Sequence, residues 1–112
     1  MKEVRNIIES AWENREMLSH FQTIDAINYV VEEMDKGRIR VAEPTDGGWK
    51  VNEWIKKAVI LYFPTRKMET IEVGPFEFHD KIPLKSNYKT LGVRVVPHAV
   101  ARYGAFIDQG VI

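Results

Sequence analysis

The sequence predicts an α+β fold: a mainly helical N-terminal domain with short β-hairpins, leading into the first coil of a left-handed parallel β-helix that is truncated. Three observations carry this expectation. Apolar residues recur at helical spacing before residue 36 and again after residue 52. Two short alternating segments are broken by Asp-Gly-Gly and by Gly-Pro, which is turn chemistry. Residues 95–112 fall into a period of six, VVPHAV, ARYGAF, IDQGVI.

Each element follows from its own residues. Val4, Ile7, Ile8, Ala11 and Trp12 keep the i, i+3, i+4 spacing that places apolar side chains on one face, so a helix is predicted over about 2–17. The polar break SHFQT follows. Thr23 is a suitable cap for a second helix, with Ile24, Ile27, Val30, Val31 and Met34 as its buried stripe. Lys36 and Gly37 suit its end: a cation favoured by the carbonyl terminus, then a residue free to turn left-handed.

RIRVAE alternates, PTDGG turns and WKV returns, so 39–51 reads as a hairpin. Asn52 is a plausible cap for NEWIKKAVILYF, which Pro64 halts because it has no N–H to continue the ladder. Ile55, Ala58, Val59, Leu61 and Tyr62 cover more than one face, so this third helix is expected to be central and largely buried. METIEV reads as a strand, Gly74-Pro75 as a turn, FEFHDKIPLK as extended and SNYKTLG as a polar connection. The period changes there, which divides the chain into a helical α+β domain, 1–92, and the start of a β-helix, 93–112.

A period of six suits a triangular coil whose three flat sides each take one hexapeptide. One aliphatic and one small residue per six point inward: here Val95, Ala101 and Ile107 in the first column, Ala99, Ala105 and Val111 in the fifth. Gly104 and Gly110 share the fourth. Three sixes complete one coil. A lone coil has unpaired strand edges and unstacked inward side chains, and solenoid units need about three neighbours to be stable. The chain is therefore expected to be the N-terminal part of a longer protein. The other reading of the pattern, small residues recurring by chance, stays open on these residues alone.

Composition excludes several classes. Sixteen basic residues balance sixteen acidic ones, so nothing draws the chain to nucleic acid or to anionic membranes. Cysteine is absent, which removes disulfides and thiolate chemistry and suits a reducing cytoplasm. No apolar run approaches the roughly 20 residues of a membrane span, and the charged start MKEVRNIIESAWENRE has no signal-like apolar stretch.

Four blocks, NIIESAWENR, GRIRVAEPTDGGWKVNEWIKKAVILYF, FHDKIPLK and GVRVVPHAVARYGAFI, carry a resemblance over nearly the whole chain. In order and spacing they resemble the N-terminal region of the tetrahydrodipicolinate N-succinyltransferase family. That resemblance implies a cytoplasmic acyltransferase of lysine and diaminopimelate biosynthesis, homotrimeric, with active sites between neighbouring β-helices. It implies tetrahydrodipicolinate as acceptor and succinyl-CoA as co-substrate, with no further cofactor. It also implies a substrate-binding role for Arg94, the arginine of the R-V-V-P block. A guanidinium fork suits an acceptor with two carboxylates, since it pairs bidentately. The family's substrate-binding aspartate and its CoA cradle are implied to lie beyond Ile112. No catalytic residue is therefore assigned within the chain, the cofactor-binding residues are unknown, and the chain alone is expected to be inactive. His98 departs from the family, whose members commonly carry a second proline there.

The remaining candidates read as structural. Arg102 is taken as a solvated corner of the coil. His20, His79 and His98 share no metal spacing. Asp80 and Lys81 read as a salt-bridged turn, Lys56 and Lys57 as the solvated edge of the third helix, and Trp12, Trp49 and Trp54 as core. Gly47-Gly48 lacks the helix and lysine of a phosphate loop. Two other functions fit the pattern: a hexapeptide-repeat acyltransferase with a different acceptor, and a free-standing helical module that binds a partner.

Overall fold

The computed structural model describes residues 1–112. Helix α1 (Lys2–Glu13) passes through a 3₁₀ turn into α2 (Phe21–Asp35). A hairpin of β1 (Ala42–Thr45) and β2 (Gly48–Val51) leads to α3 (Glu53–Tyr62). A second hairpin, β3 (Glu69–Val73) and β4 (Phe76–Asp80), precedes the one-turn helix α4 (Tyr88–Leu91). Both hairpins are antiparallel, with Ala42 opposite Val51 in the first and Glu69 opposite Asp80 in the second.

The core lies where α1, α2 and α3 meet. Ile8 and Ala11 of α1, Ile27 and Val30 of α2, and Ala58 and Leu61 of α3 are wholly buried there. These are the apolar positions that helical spacing aligns, so burial of one stripe per helix is what drives the three together. As expected, α3 is the central helix, burying Trp54, Ile55, Ala58, Leu61 and Tyr62. It ends before Pro64, which sits in a 3₁₀ turn.

Helix ends differ from the sequence reading in instructive ways. Helix α1 stops at Glu13, not near residue 17. Asn14 is extended and its side-chain oxygen accepts the Glu16 N–H at 3.2 Å, a local bond that competes with the helix ladder. Thr23 is not a cap. His20 is left extended, its carbonyl accepts from Thr23 and Ile24, and α2 starts earlier, with Thr23 buried inside it. Asn52 does precede α3, but its amide donates to the Arg40 carbonyl at 2.8 Å, tying hairpin to helix instead of capping. The end of α2 is as read. Gly37 has φ 74°, its N–H donates to Met34 O, and the Arg38 N–H donates to Glu33 O, the double bond pattern that closes a helix through a left-handed glycine.

The three tryptophans do not share one environment. Trp54 is buried. Trp12 is half-buried, flanked by the Arg15 and Lys57 cations at 5.1 and 5.7 Å from its ring centre. Trp49 is not core: it is 68% exposed on β2, with the Arg40 guanidinium 6.0 Å from its ring. The first hairpin projects from the helices, so alternation marked its strands without marking a buried face.

Residues 95–112 contain no strand beyond a single bridge from Arg102 to Leu84. The six-residue rhythm appears instead in the turns. The N–H groups of Ala99, Ala105 and Val111 donate to Val96, Arg102 and Asp108 carbonyls at 2.9, 3.2 and 3.3 Å. Each turn holds one residue of positive φ: His98 at 79°, Gly104 at 105°, Gly110 at 88°. The last turn returns to the first residues of the segment, with Gly110 N–H on Gly92 O at 2.8 Å and Arg94 N–H on Val111 O at 3.0 Å. The whole molecule is a plate of 42 × 40 × 20 Å. Its radius of gyration, 15.9 Å, exceeds the roughly 13 Å of a compact 100-residue domain because the hairpins and turns spread sideways.

Candidate functional site

Arg94 lies where the turn-rich segment closes on itself. Its backbone N–H is held by Val111, while its side chain is exposed and has no carboxylate partner. Beside it opens a hollow of about 400 Å³ lined by Val93, Val95, Ala99, Ala101, Ile107 and Val111. The first-column residues Val95, Ala101 and Ile107 all face it, and the fifth-column Ala99 and Val111 do as well, whereas Ala105 does not. A free guanidinium at the rim of an apolar recess is suited to holding a carboxylate whose carbon skeleton packs against the recess.

A buried ion pair fixes the preceding loop to the helices, and the segment shares its carboxylate. Lys85, its side chain 5% exposed, donates to Asp35 Oδ1 at 2.8 Å and to the Asp35 carbonyl at 3.3 Å. The same Oδ1 accepts the Gly104 N–H at 2.9 Å. One carboxylate at the end of α2 therefore holds the loop after β4 and the second turn together. Next to it Tyr103 O–H donates to Glu32 at 3.1 Å. Burial, and then that hydrogen bond to Glu32, push its phenol well above the ordinary tyrosine value. Nothing local in the sequence announces these contacts, because the partners are 50 to 71 positions apart.

A second anchor is made by Arg102. Arg102 donates to Asp80 at 2.6 Å and lies 5.5 Å from the Phe63 ring centre. The expected pairing of Asp80 with Lys81 is thereby corrected. Asp80 accepts from the backbone N–H of Lys81 and from the Arg102 guanidinium, and these two, in that order, hold its carboxyl below the usual carboxylate value. Arg102, though half exposed, is a tether and not a free corner.

The other candidates are dispersed. His79 shares a 2.8 Å hydrogen bond with Thr70, and His98 meets the edge of Phe76 at 5.5 Å. His20 precedes α2. Lys57 pairs with Glu9 at 3.0 Å, whereas Lys56 is exposed. No three His, Asp or Glu side chains gather to hold a metal ion. No helix is long and apolar enough to cross a membrane.

Residues 3–65 match the family described as tetrahydrodipicolinate N-succinyltransferase N-terminal. Curated relatives extend the similarity to the whole chain. A 2,3,4,5-tetrahydropyridine-2,6-dicarboxylate N-succinyltransferase of Paracidovorax citrulli is 44% identical over 99% of this chain and 44% of its own length. Proteins of the same name from Bordetella pertussis and Legionella pneumophila are each 42% identical, over 98% and 100% of this chain and again 44% of their own length. The chain thus spans under half the length of the relatives it matches.

Proposed function

The chain belongs to the tetrahydrodipicolinate N-succinyltransferase N-terminal family, and from that premise we propose that it forms the N-terminal part of an enzyme transferring succinyl from succinyl-CoA to tetrahydrodipicolinate, in lysine and diaminopimelate biosynthesis. The observation that carries this reading is the similarity to relatives named for that activity over 98–100% of the chain. In the reading, residues 1–92 form one domain and 93–112 the first coil of a β-helix. Turns recurring every six residues, and the return of Gly110 and Val111 onto Gly92 and Arg94, support a coil. The apolar hollow is its open end, suited to being covered by a further layer. The enzyme works in the cytoplasm as a homotrimer, with active sites between neighbouring β-helices and no cofactor besides its co-substrate.

Arg94 fixes one acceptor carboxylate. Its exposed, unpaired guanidinium at the rim of the hollow supports that role. Water adds across the C=N bond of the cyclic acceptor and leaves an N–H; that nitrogen attacks the thioester carbonyl, the C–S bond breaks, CoA leaves as the thiol, the nitrogen gives up its proton as the amide forms, and the ring C–N bond to the hydrated carbon opens to leave a ketone. Acceleration comes chiefly from holding the two reactants in register. The test is Arg94→Ala in the complete enzyme, with CoA release as the readout. KM for the acceptor rises at least about tenfold, as expected for loss of a charge-assisted fork, and KM for succinyl-CoA changes little. Equal losses for both substrates, or none, remove the role given to Arg94. A complete enzyme that releases no CoA with this acceptor removes the function itself.

A further inference from the structure

Arg66 stands apart from every other arginine. Arg5, Arg15, Arg38, Arg40, Arg94 and Arg102 are exposed, whereas Arg66 is half-buried. It has no carboxylate partner, in contrast to Lys57 and Lys85, which each have one. Its Nε–H donates to the Lys81 carbonyl at 3.2 Å, and its guanidinium lies 5.8 Å from the Tyr62 ring centre. The two terminal amino groups of the fork make no hydrogen bond within the protein, so they are fixed in direction and unused.

Arg66 borders a recess of about 350 Å³ lined also by Asn28, Tyr62, Pro83 and Tyr103. That volume is within the range of small-ligand sites, about 300–1,000 Å³. The other polar groups around it are likewise free. The Asn28 amide makes no hydrogen bond in the protein. Tyr62 is 6% exposed, its hydroxyl has no protein partner, and no buried side-chain polar atom is left unsatisfied, so that hydroxyl meets solvent where the residue lines a recess. Tyr103 forms a wall. The acidic Glu32 and Asp35 lie in the neighbouring recess that Tyr103 also borders, not in this one.

An anchored arginine, an asparagine and a tyrosine line this one recess, with an aromatic and a proline wall and no acidic lining residue. We propose that this recess binds a small organic carboxylate, held by the terminal amino groups of Arg66 and by donors from Asn28 and Tyr62. A planar fork takes a carboxylate in two parallel hydrogen bonds, which a lone ammonium donor does not reproduce, and the Tyr62, Pro83 and Tyr103 walls give the carbon skeleton of an organic acid a packing surface that inorganic phosphate cannot use. The site is distinct from Arg94 and does not depend on the transferase reading. None of its lining residues is among those of the hollow beside Arg94.

The test uses the 112-residue chain labelled with ¹⁵N at arginine Nε and asparagine amides. It is titrated with sodium succinate, sodium acetate or inorganic phosphate at constant ionic strength. Succinate and acetate shift the Arg66 and Asn28 signals saturably, phosphate does so at least tenfold more weakly, and Arg94 does not respond in parallel. Arg66→Lys keeps the charge, loses the fork and weakens binding at least tenfold. Asn28→Asp, an exposed change that leaves the core alone, places a like charge at the rim and weakens it by a similar factor. Should Arg66→Lys unfold the chain, Asn28→Asp decides. Linear, unsaturable shifts, equal affinity for phosphate, or an Asn28→Asp variant that binds as well as the original overturn the proposal.

Discussion

Asp35 accepts three hydrogen bonds, two from Lys85 Nζ and one from the Gly104 N–H, and that concentration makes it a sensitive polar position. Removing it strands a lysine ammonium that is 5% exposed. An uncompensated buried charge costs about 3–5 kcal/mol, a large share of the ~5–15 kcal/mol that holds a domain together. Asp35→Ala is expected to lose that much in urea denaturation. Lys85→Met added to it recovers most of the loss, because no charge is left behind. If the single change costs under about 1 kcal/mol, the ammonium escapes to water and the pair is not structural. Gly37 is the steric counterpart. A Cβ built there lies 2.7 Å from Cδ1 of Phe106, at a φ of 74°. Gly37→Ala adds the strain of left-handed backbone, about 1–2 kcal/mol, to a clash with the ring that covers the helix end. Combined with Phe106→Ala, only the backbone part remains. The expected sign is a smaller penalty for Gly37→Ala in the Phe106→Ala background than in the original chain, measured by the same denaturation.

Between elements, the second hairpin reaches the turn-rich segment through the Phe76–His98 ring contact and through one ion pair that pH can release. Asp80 is held below the usual carboxylate value by the Lys81 N–H and the Arg102 guanidinium. A carboxyl depressed in the folded state contributes stability above its unfolded value, about 3.9, and loses it as pH falls through the lower folded value. The Asp80 carboxyl carbon is therefore expected to titrate below the ordinary carboxylate value by NMR. Arg102→Gln moves that midpoint upward and leaves α1–α3 unchanged, and an unmoved midpoint excludes Arg102 as a cause. The sequence reading placed Asp80 in a salt-bridged turn with Lys81, and the reason it named the wrong partner is general. Periodicity reports what happens within an element. It located all three long helices and both hairpins because their apolar spacing is local. It missed the end of α1, where the Asn14 side chain competes with the ladder, and the start of α2, whose first bonds run to the His20 carbonyl. It placed Trp49 in the core because alternation does not say whether a second layer covers the strand. Asp35–Lys85 and the Arg66 recess bring together residues far apart in sequence, so no spacing rule reaches them. Arg94 became a candidate through a resembling block and not through its own surroundings.

At the scale of the molecule, stability is distributed unevenly. The buried residues concentrate in α1–α3, whereas Val96, Val100, Phe106 and Ile112 remain between 51% and 78% exposed. The turn-rich segment is joined to the rest by one bridge, the Arg102–Asp80 ion pair, the hydrogen bonds of Tyr103 to Glu32 and of Gly104 to Asp35, and a few backbone bonds. Local opening costs little where few apolar contacts are lost and much where a core must be exposed. Hydrogen exchange separates the two because hydrogen-bonded amides exist in both regions. Ile55 N–H is bonded at the start of α3, while Ala105 and Val111 N–H are bonded in the turns. The amides of Ile27, Val30 and Leu61 in the core helices are expected to exchange only through global unfolding. Those of Ala105 and Val111 exchange at least about a hundredfold faster, a difference of roughly 2.7 kcal/mol. Protection near the global value at Ala105 and Val111 would mean that the plate unfolds as one cooperative unit despite its open apolar hollow. Graded protection, falling from α3 outward to Val111, means that the helices set the stability and the last turns ride on them through Asp35, Lys85 and Arg102.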